Sequence, residues 1–144
     1  MVVGPAHHYG VNVSDLDRSI EFYRDVLGLE LLREKKELSE HHEDLLGVEG
    51  ASGEFAVMEG NGIKFEMKCL DAPANKNINA MRGPHDVGDD HFCWQVDDID
   101  AKYEEFREKG VEFLGEPESV GTVQSRVAYF YDPDGNVMEL VEPE

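Results

Sequence analysis

The sequence predicts an α+β fold built from two tandem βαβββ modules. Three observations predict it. The stretch HHYGVNVSDLDRSIEFYRDVLGLELLR near the start is written again, with changes, as HFCWQVDDIDAKYEEFREKGVEFLG. The stretch GIKFEMK returns in the same way as GNVMELV. Within each copy, apolar residues keep a period of two, switch to a helical period, and return to two. Neither copy is large enough to bury a core of its own, so the two sheets are expected to associate and curl round a shared pocket.

The elements follow in order. HYGVNV alternates as a half-buried strand does: Tyr9, Val11 and Val13 share the face suited to a helix, and His8, Gly10 and Asn12 share the other. Asp15 is placed to cap a helix whose apolar stripe is Leu16, Ile20 and Tyr23, and Gly28 stands where a helix ends. A strand through Leu32 comes next, and then an inserted stretch, SEHHEDLLGVEGASG. EFAVMEGNG turns back into GIKFEMK, with Phe65 and Met67 on one face and Glu66 on the other. The run DAPANKNINAMRGPHDVGDD is rich in Pro, Asn, Asp and Gly and reads as a linker. The second copy repeats the plan. Phe92, Trp94 and Val96 oppose His91, Cys93 and Gln95; Asp98 caps Ile99, Tyr103 and Phe106; Gly110 ends the helix; a strand passes through Leu114. RVAYFY turns at Asp132-Pro133-Asp134-Gly135 into a last strand where Met138 and Leu140 oppose Glu139. The expected boundaries are 1–70 for the first module, 71–90 for the linker and 91–144 for the second module, together one domain of 144 residues.

Composition narrows the function. A formal charge of −19, from 32 acidic and 13 basic residues, argues against nucleic acid and anionic membrane as partners. No apolar run nears the roughly 18 residues that span a bilayer. No charged-then-apolar leader opens the sequence, and Cys69 and Cys93 lie in separate strand-like runs, so a reducing cytoplasm is the expected location. The spread of acids also suits a halophilic habitat, where salt screens self-repulsion.

His8 and His91 occupy equivalent places, and so do Glu66 and Glu139. All four lie on the strand face opposite the apolar one. Any one of them alone reads as a solvated strand residue. The recurrence of both favours a site for one divalent ion, Ni, Zn, Co, Mn or Fe, with positions left for water or substrate. His7 adjoins His8 but is expected on the other strand face.

HHYGVNVSDLDRSIEFYRDVLGLEL, GIKFEMK, HFCWQVDDIDA and YFYDPDGNVMEL together resemble the vicinal oxygen chelate superfamily, which includes glyoxalase I (lactoylglutathione lyase), methylmalonyl-CoA epimerase, extradiol dioxygenases and bleomycin resistance proteins. The resemblance implies that His8, Glu66, His91 and Glu139 hold the metal. It also implies a metal that polarises vicinal oxygens of the substrate, and a carboxylate ligand, Glu139 or Glu66, that moves a proton between adjacent carbons. The His/Glu/His/Glu set resembles glyoxalase I, so a lyase or isomerase acting on a small oxygenated substrate is expected. Alternatives are a methylmalonyl-CoA epimerase-like isomerase, an extradiol-type dioxygenase, and a metal-free ligand-binding or resistance protein. Substrate contacts are expected from Asn12, Gln95 and Arg126, with Cys93 and Tyr129 as further liners. His41, His42, Glu43 and Asp44 read as a polar loop or short helix at the pocket mouth rather than a second metal site. His85 reads as an exposed linker residue. Sheet edges that seek partners predict a homodimer.

Overall fold

The structure is a computed structural model that describes residues 4–38, 41–74, 76–77, 86–88 and 90–143. His85 lies outside them. The chain divides into two units, Met1–Asn77 and Ile78–Glu144.

The first unit runs β1 (Tyr9–Asn12), α1 (Leu16–Asp25), β2 (Glu30–Glu37), α2 (His42–Leu46), β3 (Ser52–Gly60) and β4 (Ile63–Ala72). Its sheet has the order β1-β4-β3-β2, with β1 parallel to β4 and the other pairs antiparallel. The second unit runs β5 (Phe92–Gln95), α3 (Ile99–Glu108), β6 (Glu118–Val120), β7 (Ser125–Tyr131) and β8 (Val137–Pro143). Its sheet has the matching order β5-β8-β7-β6. Each unit is thus a βαβββ module, and α2 is the helix that the inserted stretch adds to the first.

Local chemistry sets the helix ends. Asp15 and Asp98 are extended, and each carboxylate accepts a backbone N–H three residues on, from Arg18 at 3.0 Å and Ala101 at 2.9 Å. Gly28 and Gly110 take the left-handed backbone that ends each helix, with φ of 71° and 84°. One face of each sheet is then covered by its helix. In the first unit Tyr23 of α1 packs on Phe65, with ring centres 4.7 Å apart, and Met58 and Met67 are fully buried beside them. In the second, Phe106 of α3 meets Phe130 at 5.5 Å over buried Met138 and Leu140. The DPDG turn is braced from inside: buried Asp132 accepts the N–H groups of Asp134 and Asn136 at 2.9 and 2.8 Å.

Two differences from expectation have physical causes. The strand foreseen through Leu114 is reduced to an isolated Phe113–Phe130 bridge, and pairing resumes at β6. Gly115 and Pro117 separate the two pieces, and proline has no N–H to give a ladder. β4 also continues to Ala72, into the stretch read as linker, because Ser52 and Gly53 of β3 still pair with Ala72 and Leu70.

Candidate functional site

The alternation that buries Phe65, Met67, Met138 and Leu140 turns Glu66 and Glu139 to the face away from the helices. Cross-strand register shows what stands beside them. In the second unit Glu139 of β8 lies between Cys93 of β5 and Tyr129 of β7. In the first unit Glu66 of β4 lies between Gly10 of β1 and Val57 of β3.

His91 and Glu139 are brought together. His91 Nε2 lies 2.9 Å from Glu139 Oε2; the Glu139 side chain is buried and that of His91 is partly exposed. The other ring nitrogen, Nδ1, lies 3.0 Å from a carboxylate oxygen of Asp90. Tyr129 presents its ring edge-on to His91, with centres 5.2 Å apart. Glu139 also governs its neighbours. Although Cys93 is exposed as a residue, partial burial of its thiol and a hydrogen bond to the Glu139 carboxylate push its pKa up to about 12, so it stays a neutral thiol. Burial, and then the Glu139 charge, raise the Tyr129 phenol in the same direction.

In the first unit the two equivalent residues have other partners. Glu66 Oε1 pairs with Lys68 Nζ at 3.1 Å, along the same strand face. His8 Nδ1 lies 2.9 Å from His7 Nδ1, with the rings edge to face. His7 therefore does not diverge from His8 as strand alternation requires. The reason is that β1 begins only at Tyr9, so neither histidine is bound by the pleat.

The donor set fits a divalent ion best in the second unit. An imidazole nitrogen and a carboxylate oxygen are both ligand types of a divalent ion, and here they stand 2.9 Å apart, within reach of a common ion. A carboxylate on the far nitrogen of a ligating histidine sets its tautomer and ring orientation, and Asp90 stands there. Among the described residues, no group of three or more His, Cys, Asp or Glu gathers as a complete cage.

The remaining residues divide by face. Asn12 and Gln95 lie on the site face, in register with Lys68 and Val141. Arg126 does not. It shares the helix face with Ala128 and Phe130, and its guanidinium grips the Asp100 carboxylate of α3 through bonds of 2.6 and 2.8 Å. That pairing holds Asp100 below the usual carboxylate range. Arg126 thus fastens a helix to a sheet and is withdrawn as a substrate contact. The HHED run leads into α2, with His41 at the N-cap position making no side-chain capping bond, and His42 sets its ring 6.1 Å from Phe55. Sequence reasoning passes over Lys68, although its place two residues after Glu66 in an alternating strand puts it on the same face.

Comparison with known proteins agrees with this architecture. The family model described as the glyoxalase/bleomycin resistance protein/dioxygenase superfamily matches residues 6–140. A protein of Haemophilus influenzae named lactoylglutathione lyase is 33% identical over 135 residues, covering 94% of this chain and 90% of that one. A Synechocystis protein named "Probable lactoylglutathione lyase" is 30% identical over 138 residues, covering 94% and 92%. The crystal structure of a glyoxalase family protein from Bacillus cereus superimposes with a TM-score of 0.85 at 20% identity, over 99% of this chain and 95% of that one. The chain belongs to the glyoxalase/bleomycin resistance protein/dioxygenase superfamily, whose two-module plan its strand order repeats.

Proposed function

We propose that this protein is a glyoxalase I-like lyase or isomerase that transfers a proton between adjacent carbons of a small oxygenated substrate. The observation that carries the reading is the contact of His91 Nε2 with Glu139 Oε2 at 2.9 Å, on the sheet face free of helix. In this reading His8, Glu66, His91 and Glu139 hold one divalent ion, which when bound polarises the substrate's vicinal oxygens as a Lewis acid. Glu139 is the proton carrier: its Oε2 accepts the proton from one carbon and returns it to the next. Asp90, on Nδ1, keeps His91 aimed at Oε2. Cys93 and Tyr129 flank the carboxylate and stay protonated, able to donate to it without competing for the substrate's proton. The similarity to proteins named lactoylglutathione lyase supports the reaction class.

The test is metal content together with turnover, in protein purified without chelator. The wild type should carry near one equivalent of metal and convert a hemithioacetal of glutathione and methylglyoxal, or another 2-oxoaldehyde adduct. Glu139→Gln should lose turnover by about a thousandfold or more, the upper part of what general acid–base groups and their ligands supply. Equal rates in wild type and variant would sink the mechanism. A second reading rests on Glu66, whose pairing with Lys68 satisfies it without any ion. In that reading the protein binds a small ligand metal-free, and a ligand affinity unchanged by chelation would favour it.

A further inference from the structure

The two modules match in backbone and in their His and Glu positions, yet one cross-strand row breaks the match in charge. On the site face of the first sheet, register places Lys36 of β2, Phe55 of β3, Lys68 of β4 and Asn12 of β1 side by side. The equivalent row of the second sheet is Glu118, Val127, Val141 and Gln95, with no cation. Where one copy carries two lysines, the other carries none. The row beside it adds Arg33, in register with Val57 and Glu66.

This gathering runs against the composition. The chain has 13 basic residues to 32 acidic ones. The cations on the helix faces are occupied: Lys35 by Asp17, Arg126 by Asp100, and Lys102 and Lys109 by Glu105. Lys36 and Arg33 make no ion pair among the described residues, and Lys68 is shared only with Glu66. Lys64 stands on the same face in register with Glu59, whereas the row of Lys36 and Lys68 holds two cations and no acid, a net positive charge that an anion would neutralise. Lys68 Nζ also lies over Gly10, 3.9 Å from where a Cβ would stand, so the β1 position beside Glu66 sets no side chain over it.

We propose that this row binds the anionic tail of the substrate. Lys68 and Lys36 supply charge, the Asn12 amide supplies a hydrogen bond, and Phe55, with the His42 ring against it, supplies an apolar wall. The row stands two residues along the strand from Glu66, which is roughly 7 Å. The class of ligand follows: an oxyacid with vicinal oxygens at one end and a carboxylate or phosphate about 7 Å away. The inference rests on the proposed function in taking Glu66 as the residue beside the chelated end.

Titration calorimetry on the metal-loaded wild type with three probes tests it. Lactate has the chelating end alone; 2-hydroxyglutarate adds a carboxylate tail; 3-phosphoglycerate adds a phosphate tail. One or both tailed probes should bind at least tenfold tighter than lactate, and the better of the two identifies the anion. Lys36→Met, which touches no candidate ligand, should remove that preference while leaving lactate affinity within twofold; Lys68→Met, which also frees Glu66, should remove the preference, read as the ratio of tailed-probe to lactate affinity. Lys68→Arg should restore it. Thermal midpoints near the wild type exclude misfolding, and a variant that unfolds leaves the other to decide. Equal affinity for all three probes, or a preference that survives both substitutions, overturns the proposal. Glutarate titrated into chelated protein separates the two readings. Lysine-dependent glutarate binding in a protein that takes up no metal would sink the metal reading alone. Normal metal uptake without lysine-dependent binding would sink this one alone.

Discussion

Asp90, His91 and Glu139 stand in line, with one carboxylate at each ring nitrogen of the histidine. A histidine whose Nδ1 is held by a carboxylate keeps its Nε2 aimed and basic, and loss of such an outer partner weakens metal binding by roughly 10–100-fold. Asp90→Asn should therefore lower metal affinity by about that factor, read by competition with a chelating dye. Asp90→Glu should recover most of it, and the thermal midpoint should hardly move, since Asp90 is exposed. An unchanged metal affinity would reduce Asp90 to a surface neighbour. The helix caps act at the same scale. Replacing Asp98 by alanine removes the acceptor of the Ala101 N–H and should cost about 1 kcal/mol in denaturant unfolding.

At the scale of the element, α3 is held by charge as well as by packing. Glu105 accepts from Lys102 at 2.6 Å and from Lys109 at 2.7 Å, and these bonds pull its pKa down to about 2. A carboxyl depressed on folding contributes stability above its unfolded pKa, near 4.3, and loses it as pH falls through the folded value. The difference in thermal midpoint between the wild type and Glu105→Gln should thus be constant above about pH 5 and shrink toward zero near pH 2. It should be small throughout, because the pairs are solvated. A gap that persists at pH 2 would contradict the assignment. The helices were legible in the sequence because their signals are local: Asp15 and Asp98 lie three residues from the N–H groups they cap, and Gly28 and Gly110 close the stripes they follow. Much of the site was legible for the same reason, since alternation alone puts Glu66 and Glu139 opposite Phe65 and Met138. What escaped was long-range or irregular. Arg126 meets Asp100 across a helix–sheet contact that spacing does not announce, and Pro117 breaks a strand that the repeat implies. The His7–His8 contact arises because a strand starts one residue later than its pattern suggests.

For the molecule as a whole, net charge is the dominant electrostatic quantity. A formal −19 on 144 residues opposes compaction, and screening relieves it. Raising sodium chloride from about 0.05 M to 1 M shortens the screening length from well over 10 Å to roughly 3 Å. The thermal midpoint should rise over that range, and an uncharged osmolyte at equal osmolarity should raise it less. A flat or falling response would show that the acids are balanced locally. None of the helices among the described residues is long and apolar enough to cross a membrane. The strand order has a further consequence, in time rather than in space. Each half closes by laying its first strand parallel to its last, Tyr9 against Phe65 and Phe92 against Met138. The antiparallel hairpins β3–β4 and β7–β8 join neighbours and can form within microseconds of their synthesis. The parallel closures join the ends of a half, and loop entropy delays them. On the ribosome, β1 must wait for β4, and β5 must wait for β8. The pairing that sets Gly10 beside Glu66 and Cys93 beside Glu139 is therefore the last part of each half to be assembled, and it comes into being in the same step that completes the sheet.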